Sequence, residues 1–236
     1  MIFWFTLGIV LLAVVVSADT THTPASSGAI FLVLPRPGAP LSFDQIEESS
    51  RKLDDSTSGI EVRRSKVYRD LAGRLRIEAG IREGSGHPSA PYTDFIDPIA
   101  GSRVILLSTE KVGYRWPCPK SSQGRFAICF ARDQDPPSRK WSAARESLGT
   151  HTIEAIEFEG TRIVQTAEGE PHLTNTIEEW YAADLKLIGL IVFSSPNETY
   201  TARIQNVRRE EPDPALFTIP APYKVVDVPL PACDRQ

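Results

Sequence analysis

From residue 59 onward, apolar and polar positions alternate over long stretches with a period of two, which predicts strands rather than helices. Ser65–Arg69 leads into the turn Asp70–Gly73, and Arg74–Glu78 follows. In the second segment Leu75 and Ile77 share one face, and Arg74, Arg76 and Glu78 share the other. Asp94–Asp97, the turn Pro98–Gly101 and Ser102–Leu107 repeat the unit, and a turn near Glu110 and Lys111 precedes Val112–Trp116. Segments of this length, separated by turn residues, predict antiparallel hairpins in series.

Beyond the loop-like stretch Asp133–Arg139, Lys140–Ser147 predicts one or two helical turns stopped by Gly149. Thr150–Glu159 then predicts a strand, with Ile156 and Phe158 opposite Glu157 and Glu159, turning at Gly160 and Thr161 into Arg162–Thr166. Ile177–Tyr181, Leu185–Phe193 and Tyr200–Val207 form a second meander, with turns at Ala182–Asp184 and Ser195–Glu198. Glu211–Pro220 and the strand Tyr223–Val228 end the patterned region. Upstream, the apolar run Ala29–Leu34 is broken by Pro35–Pro40. Ser42–Glu47 fits either a short helix with Ser42 as N-cap or a strand.

The N-terminus differs from all of this. Residues 1–18 carry no charge and end in Ser17 and Ala18, the form of a signal peptide or an N-terminal anchor. No Lys or Arg precedes the run, and the first basic residue is Arg36. As a helix it would span about 27 Å, marginal for a bilayer. Either reading exports the remainder: a spacer at residues 19–28, one β-rich domain at 29–228 with a loop or linker near 133–140, and a disordered tail at 229–236. No acylation cysteine lies near Ala18, so membrane association would run only through Met1–Ala18 if uncleaved.

Composition narrows the classes. The 236 residues carry 26 basic and 30 acidic side chains, a balance that argues against a nucleic-acid partner. The charge is uneven: residues 51–145 hold 18 basic and 11 acidic side chains, and residues 146–236 hold 7 and 15. Two halves of one sheet that attract each other account for this, as does a basic surface for an anionic partner. Of the three cysteines, Cys118 and Cys129 lie close in sequence across a turn at Lys120–Gly124 and form a candidate disulfide in an exported chain. Cys233 is left unpaired near the C-terminus. No Cys-x-x-Cys pair exists and the four histidines are scattered, so neither zinc nor any other cofactor is implied.

The hairpin Val67–Glu78, the segment Ile96–Gly101, Ser147–Ile153, Glu159–Arg162, the strand carrying Trp180 and Tyr181, and Glu211–Pro220 occur in an order that resembles uncharacterised exported bacterial proteins. The close resemblance covers residues 60–225. More remotely, the chain is similar to the periplasmic lipoprotein-carrier superfamily, which includes lipoprotein-localisation factors and regulators that sense stray lipoproteins. That resemblance implies a mainly β (α+β) fold: a single curved antiparallel sheet or incomplete β-barrel, with one or two short helices plugging the concave side. It also implies an apolar hollow for acyl chains and no catalytic residues. The sequence departs from that superfamily in lacking an amphipathic N-terminal helix.

Catalytic patterns are thin. There is no Gly-x-Ser-x-Gly elbow, and His151 has no identifiable nucleophile or orienting carboxylate. Glu157 and Glu159 share a strand face about 7 Å apart, a spacing that would suit a glycosidase pair only within a sugar-binding cleft and that better describes a solvated strand face. Trp180 is expected in the core, with Trp116 and Trp141 open between pocket and core. The expectation is a non-enzymatic envelope protein, periplasmic or envelope-associated, that binds a lipid, a lipoprotein or another apolar ligand in the hollow of its sheet. The alternative is an interaction or regulatory module of the envelope with a filled core, whose edges or charged faces meet another envelope protein.

Overall fold

Alternating sequence becomes strand almost throughout the computed structural model, which describes residues 32–52, 58–84, 90–117 and 140–229. The strands are β1 (Leu41–Lys52), β2 (Ser58–Arg69), β3 (Leu75–Glu83), β4 (Tyr92–Asp97), β5 (Ser102–Leu107), β6 (Val112–Pro117), β7 (Trp141–Ile153), β8 (Ile156–Ala167), β9 (Glu170–Ala182), β10 (Leu187–Ser194), β11 (Glu198–Arg208) and β12 (Lys224–Asp227). They form one sheet in the order β12-β6-β5-β4-β3-β2-β1-β11-β10-β9-β8-β7, antiparallel except for the parallel pair β12–β6, and the sheet is not closed. The expected β class therefore holds. Ser42–Glu47 resolves as strand, because β1 is paired on both sides, with β2 and with β11.

The order gives the charge asymmetry a structural meaning. β1 is the seam: β2–β6, drawn from the basic stretch, lie on one side and β11–β7, drawn mostly from the acidic stretch, on the other, while β12 from the acidic stretch pairs with β6. Glu48 with Arg203 (2.6 Å) and Arg51 with Glu198 (3.5 Å) bridge the seam itself.

Three sequence expectations are corrected. Lys140–Ser147 is not helical: Trp141–Ile153 is a strand that pairs with β8 along its length. Its alanines, Arg145 and Glu146 favour helix locally, but cross-strand pairing overrides propensity. Gly149 does not stop a helix; at φ +78° it sits where the β7–β8 register shifts. The turn expected at Gly160 and Thr161 lies instead at Glu154 and Ala155, both with positive φ, the signature of a two-residue hairpin turn. Gly160 is inside β8 for a packing reason, since a Cβ there would stand 2.7 Å from the Trp180 ring.

Helix among the described residues amounts to the single 3-10 turn Pro214–Phe217, capped by the Asp213 carboxylate. It does not plug an inner face. Arg76 pairs across β3–β4 with Phe95, stacks on its ring, and donates to the Leu216 carbonyl at 2.6 Å. Phe95, Val104 and Leu106 on this outer face are covered by Ile219, Tyr223 and Val225 of the C-terminal segment.

The main core runs from Phe43, Val67, Leu75, Ile77 and Ile96 to Phe158, Ile177, Leu187, Ile191 and Ile204. Leu32 and Val33 join it: residues 32–34 pair with the start of β10 through Ile188 N–H to the Leu32 carbonyl and Leu34 N–H to the Lys186 carbonyl. The strap that follows is pinned by Arg69, fully buried, which donates to the carbonyls of Leu34, Ala39 and Leu185 at 2.7–2.9 Å. Burial, with Arg36 adding to it, pulls the Arg69 guanidinium down to about 10. Gly73 closes the same end at φ +83°, where a Cβ would come within 2.9 Å of the Arg36–Pro37 backbone.

Candidate functional site

Along β1 the buried face changes character. Leu41 and Phe43 are apolar, whereas Gln45 and Glu47, next on the same face, are polar and buried. On β2 the partners of Phe43, Gln45 and Glu47 are Val67, Ser65 and Arg63, so the change runs across both strands in register. The apolar core thus meets a buried polar constellation on one continuous face.

Arg63 is its centre and is 1% exposed. Its guanidinium stands 3.5 Å from the Glu47 carboxylate, itself buried, and donates to the Tyr92 hydroxyl at 3.4 Å. Gln45 Nε2 donates to Glu47 Oε1 at 2.8 Å. Tyr200, from β11, approaches Glu47 from the other side; burial foremost, and Glu47 next, raise its hydroxyl pKa. Burial raises Tyr92 as well. Hydrogen bonding is loose: Arg63 Nε makes no hydrogen bond, Arg63 Nη2 and Glu47 Oε2 meet only as the 3.5 Å ion pair, and the Tyr200 hydroxyl lies beside Glu47 without a close hydrogen bond. Buried polar atoms are nearly always paired, and each orphan costs about 1–3 kcal/mol. Arg63 Nε is a donor with no partner beside a long ion pair, so the site suits a polar group that accepts from the guanidinium.

A second buried pair, Asp94 with Arg103, lies on the adjoining strands β4 and β5 and is bidentate, with contacts of 2.6–3.1 Å. The outer face of the seam holds a groove of about 610 Å³ with Asp44, Ile46, Lys66, Glu78 and Gln205 among its lining residues.

The residues singled out by sequence separate. His151 is exposed and meets the Trp180 ring edge-on, with centroids 5.5 Å apart. Glu157 and Glu159 are exposed on β8. Trp180 packs against the core, partly buried, and Trp116 and Trp141 are also partly buried. No group of three or more His, Cys, Asp or Glu among the described residues is placed to hold a metal. The candidate disulfide Cys118–Cys129, Cys233, the segment Met1–Ala18 and the loop Asp133–Arg139 lie outside the described residues. Sequence reading passed over Arg63 and Glu47. The signal was there: Gln45, Glu47, Arg63 and Ser65 occupy positions where the strand period calls for apolar side chains.

No protein-family model matches the chain, and no curated protein matches it in sequence. Among solved structures it is similar to the Mycobacterium tuberculosis lipoprotein LppX, at 10% identity and a TM-score of 0.33 over 73% of this chain and 88% of that one. A LolA superfamily protein from Nitrosomonas europaea matches at 8% identity and 0.32, over 79% and 93%. The Pseudomonas aeruginosa MucA/MucB complex matches at 14% and 0.37, over 80% of this chain and 59% of that one. The resemblance to lipoprotein-carrier-like folds expected from the sequence is thus found among solved structures.

Proposed function

We propose that this chain is a non-catalytic envelope protein that binds an amphipathic ligand, a lipid or a lipid-bearing protein, on the inner face of its sheet. The reading rests on one observation: the fully buried Arg63, with its Nε donor unmatched and only a 3.5 Å ion pair to Glu47, lies where the apolar face begins. An amphiphile answers both halves of that face. Those apolar residues are packed and buried in the structure, so the chain enters by opening that face, and it gains ~0.8 kcal/mol for each methylene it removes from water. Its polar end accepts from Arg63. The apolar segment Met1–Ala18 supports export to the envelope, and the Cys118–Cys129 bridge belongs to the same proposal.

The test is extraction of amphiphile from full-length protein recovered from the cell envelope, beside the double variant Glu47→Met, Arg63→Met. Replacing both partners of a buried pair with apolar residues is often neutral for stability. The folded variant is expected to lose at least tenfold of any co-purifying amphiphile that carries a polar head. Equal retention by both proteins would remove the Arg63–Glu47 pair from the function.

A further inference from the structure

The acidic wing ends in an edge of unusual form. β7 is the last strand of the sheet among the described residues and pairs with β8 alone. It is thirteen residues long, and every position from Ser142 to Ser147 and from Gly149 to Thr152 is exposed. Natural edges are shortened, covered, bulged, or guarded by charged residues and proline. β7 has no lysine or proline and carries only Arg145, Glu146 and the register shift at Ser147–Gly149 as such devices, and the other edge, β12, is only four residues long. The outward-pointing groups follow from alternation. Lys140 accepts from Glu168 N–H at 2.9 Å, so it faces β8, and Trp141, Ala143 and Arg145 direct their N–H and C=O groups outward.

The surroundings select a partner by charge. Residues 140–182 carry eight acidic and three basic side chains. Glu157 and Glu159 on β8 are exposed and have no ion-pair partner among the described residues. They lie opposite Thr152 and Thr150 of β7, side chains short enough for a long one to pass over. The geometry points to β-strand addition at the β7 edge by an extended polypeptide segment with Lys or Arg at positions two apart. Main-chain hydrogen bonds to Ala143 and Arg145 supply attachment, and the basic side chains cross β7 to reach Glu157 and Glu159.

The test uses the full chain and two labelled ten-residue peptides, one alternating Lys and Thr and one alternating Glu and Thr, read by fluorescence anisotropy at low salt. The Lys peptide should bind, weaken with added salt, and slow amide hydrogen exchange at Ala143 and Arg145. The Glu peptide should not bind. Ala143→Pro, which removes an outward donor, should lower affinity about tenfold, and Ala143→Val, which keeps it, should not. Glu157→Gln with Glu159→Gln, on an exposed face where folding is not at risk, should also lower it about tenfold. Absence of binding, equal binding of both peptides, or indifference to Ala143→Pro and to the double glutamine variant would each overturn the proposal. A dimer dissolved by Ala143→Pro would replace it with self-pairing of β7.

Discussion

Arg69 holds three backbone carbonyls from two separate segments and has no carboxylate in contact among the described residues. Its work is positional: it fixes the strap before β1 and the β9–β10 turn to the end of β2. Arg69→Met strands those acceptors, and the expected loss is about 3 kcal/mol in a denaturant melt. A midpoint unchanged within error would show that the strap is held by other contacts. Glu179 makes a prediction of opposite sign. Burial raises its pKa, with Arg145 opposing. The folded state therefore keeps a proton that the unfolded state releases, and stability falls as pH rises above the ordinary carboxylate range. Glu179→Gln should raise the melting temperature at pH 7 and leave it unchanged near pH 3. A gain of the same size at both pH values would contradict the assignment.

Elements were legible where turn chemistry and period agreed. Asp70–Gly73 and Asp97–Gly101 turn as their residues require, with the Asp97 carboxylate accepting from Ile99 and Ala100 N–H and Gly101 at φ 64°. The β7–β8 hairpin was not legible, because its turn residues, Glu154 and Ala155, are ordinary ones held at positive φ by pairing on either side. Gly160 read as a turn residue when its role is to admit the Trp180 ring. Gly160→Ala should therefore cost about 1–3 kcal/mol by overpacking, and should change the near-ultraviolet dichroism of Trp180. An unaltered spectrum and melt would mean that the ring has room to move. The Arg63–Glu47 site escaped for a related reason. Each strand reads as polar at those positions, and only the β1–β2 register places the charges opposite one another in the interior.

At the scale of the whole molecule, an open twelve-stranded sheet with a basic wing and an acidic wing presents two kinds of surface. Its interior face passes from apolar core to a loosely paired polar centre, and the long strand β7, last in the sheet among the described residues, lies on the acidic side. The charge difference between the halves was visible in the sequence, but its meaning depended on β1 pairing with β11, a contact between distant parts of the chain. The central claim is that the interior face takes an amphiphile with its polar end at Arg63. Native mass spectrometry of the full-length chain, produced in an oxidising compartment and compared before and after organic extraction, tests it most directly. The account predicts an adduct removed by extraction, identified as an amphiphile with a polar head, and reduced at least tenfold in Glu47→Met, Arg63→Met. A bare protein mass that stays unchanged on incubation with envelope lipids would contradict it.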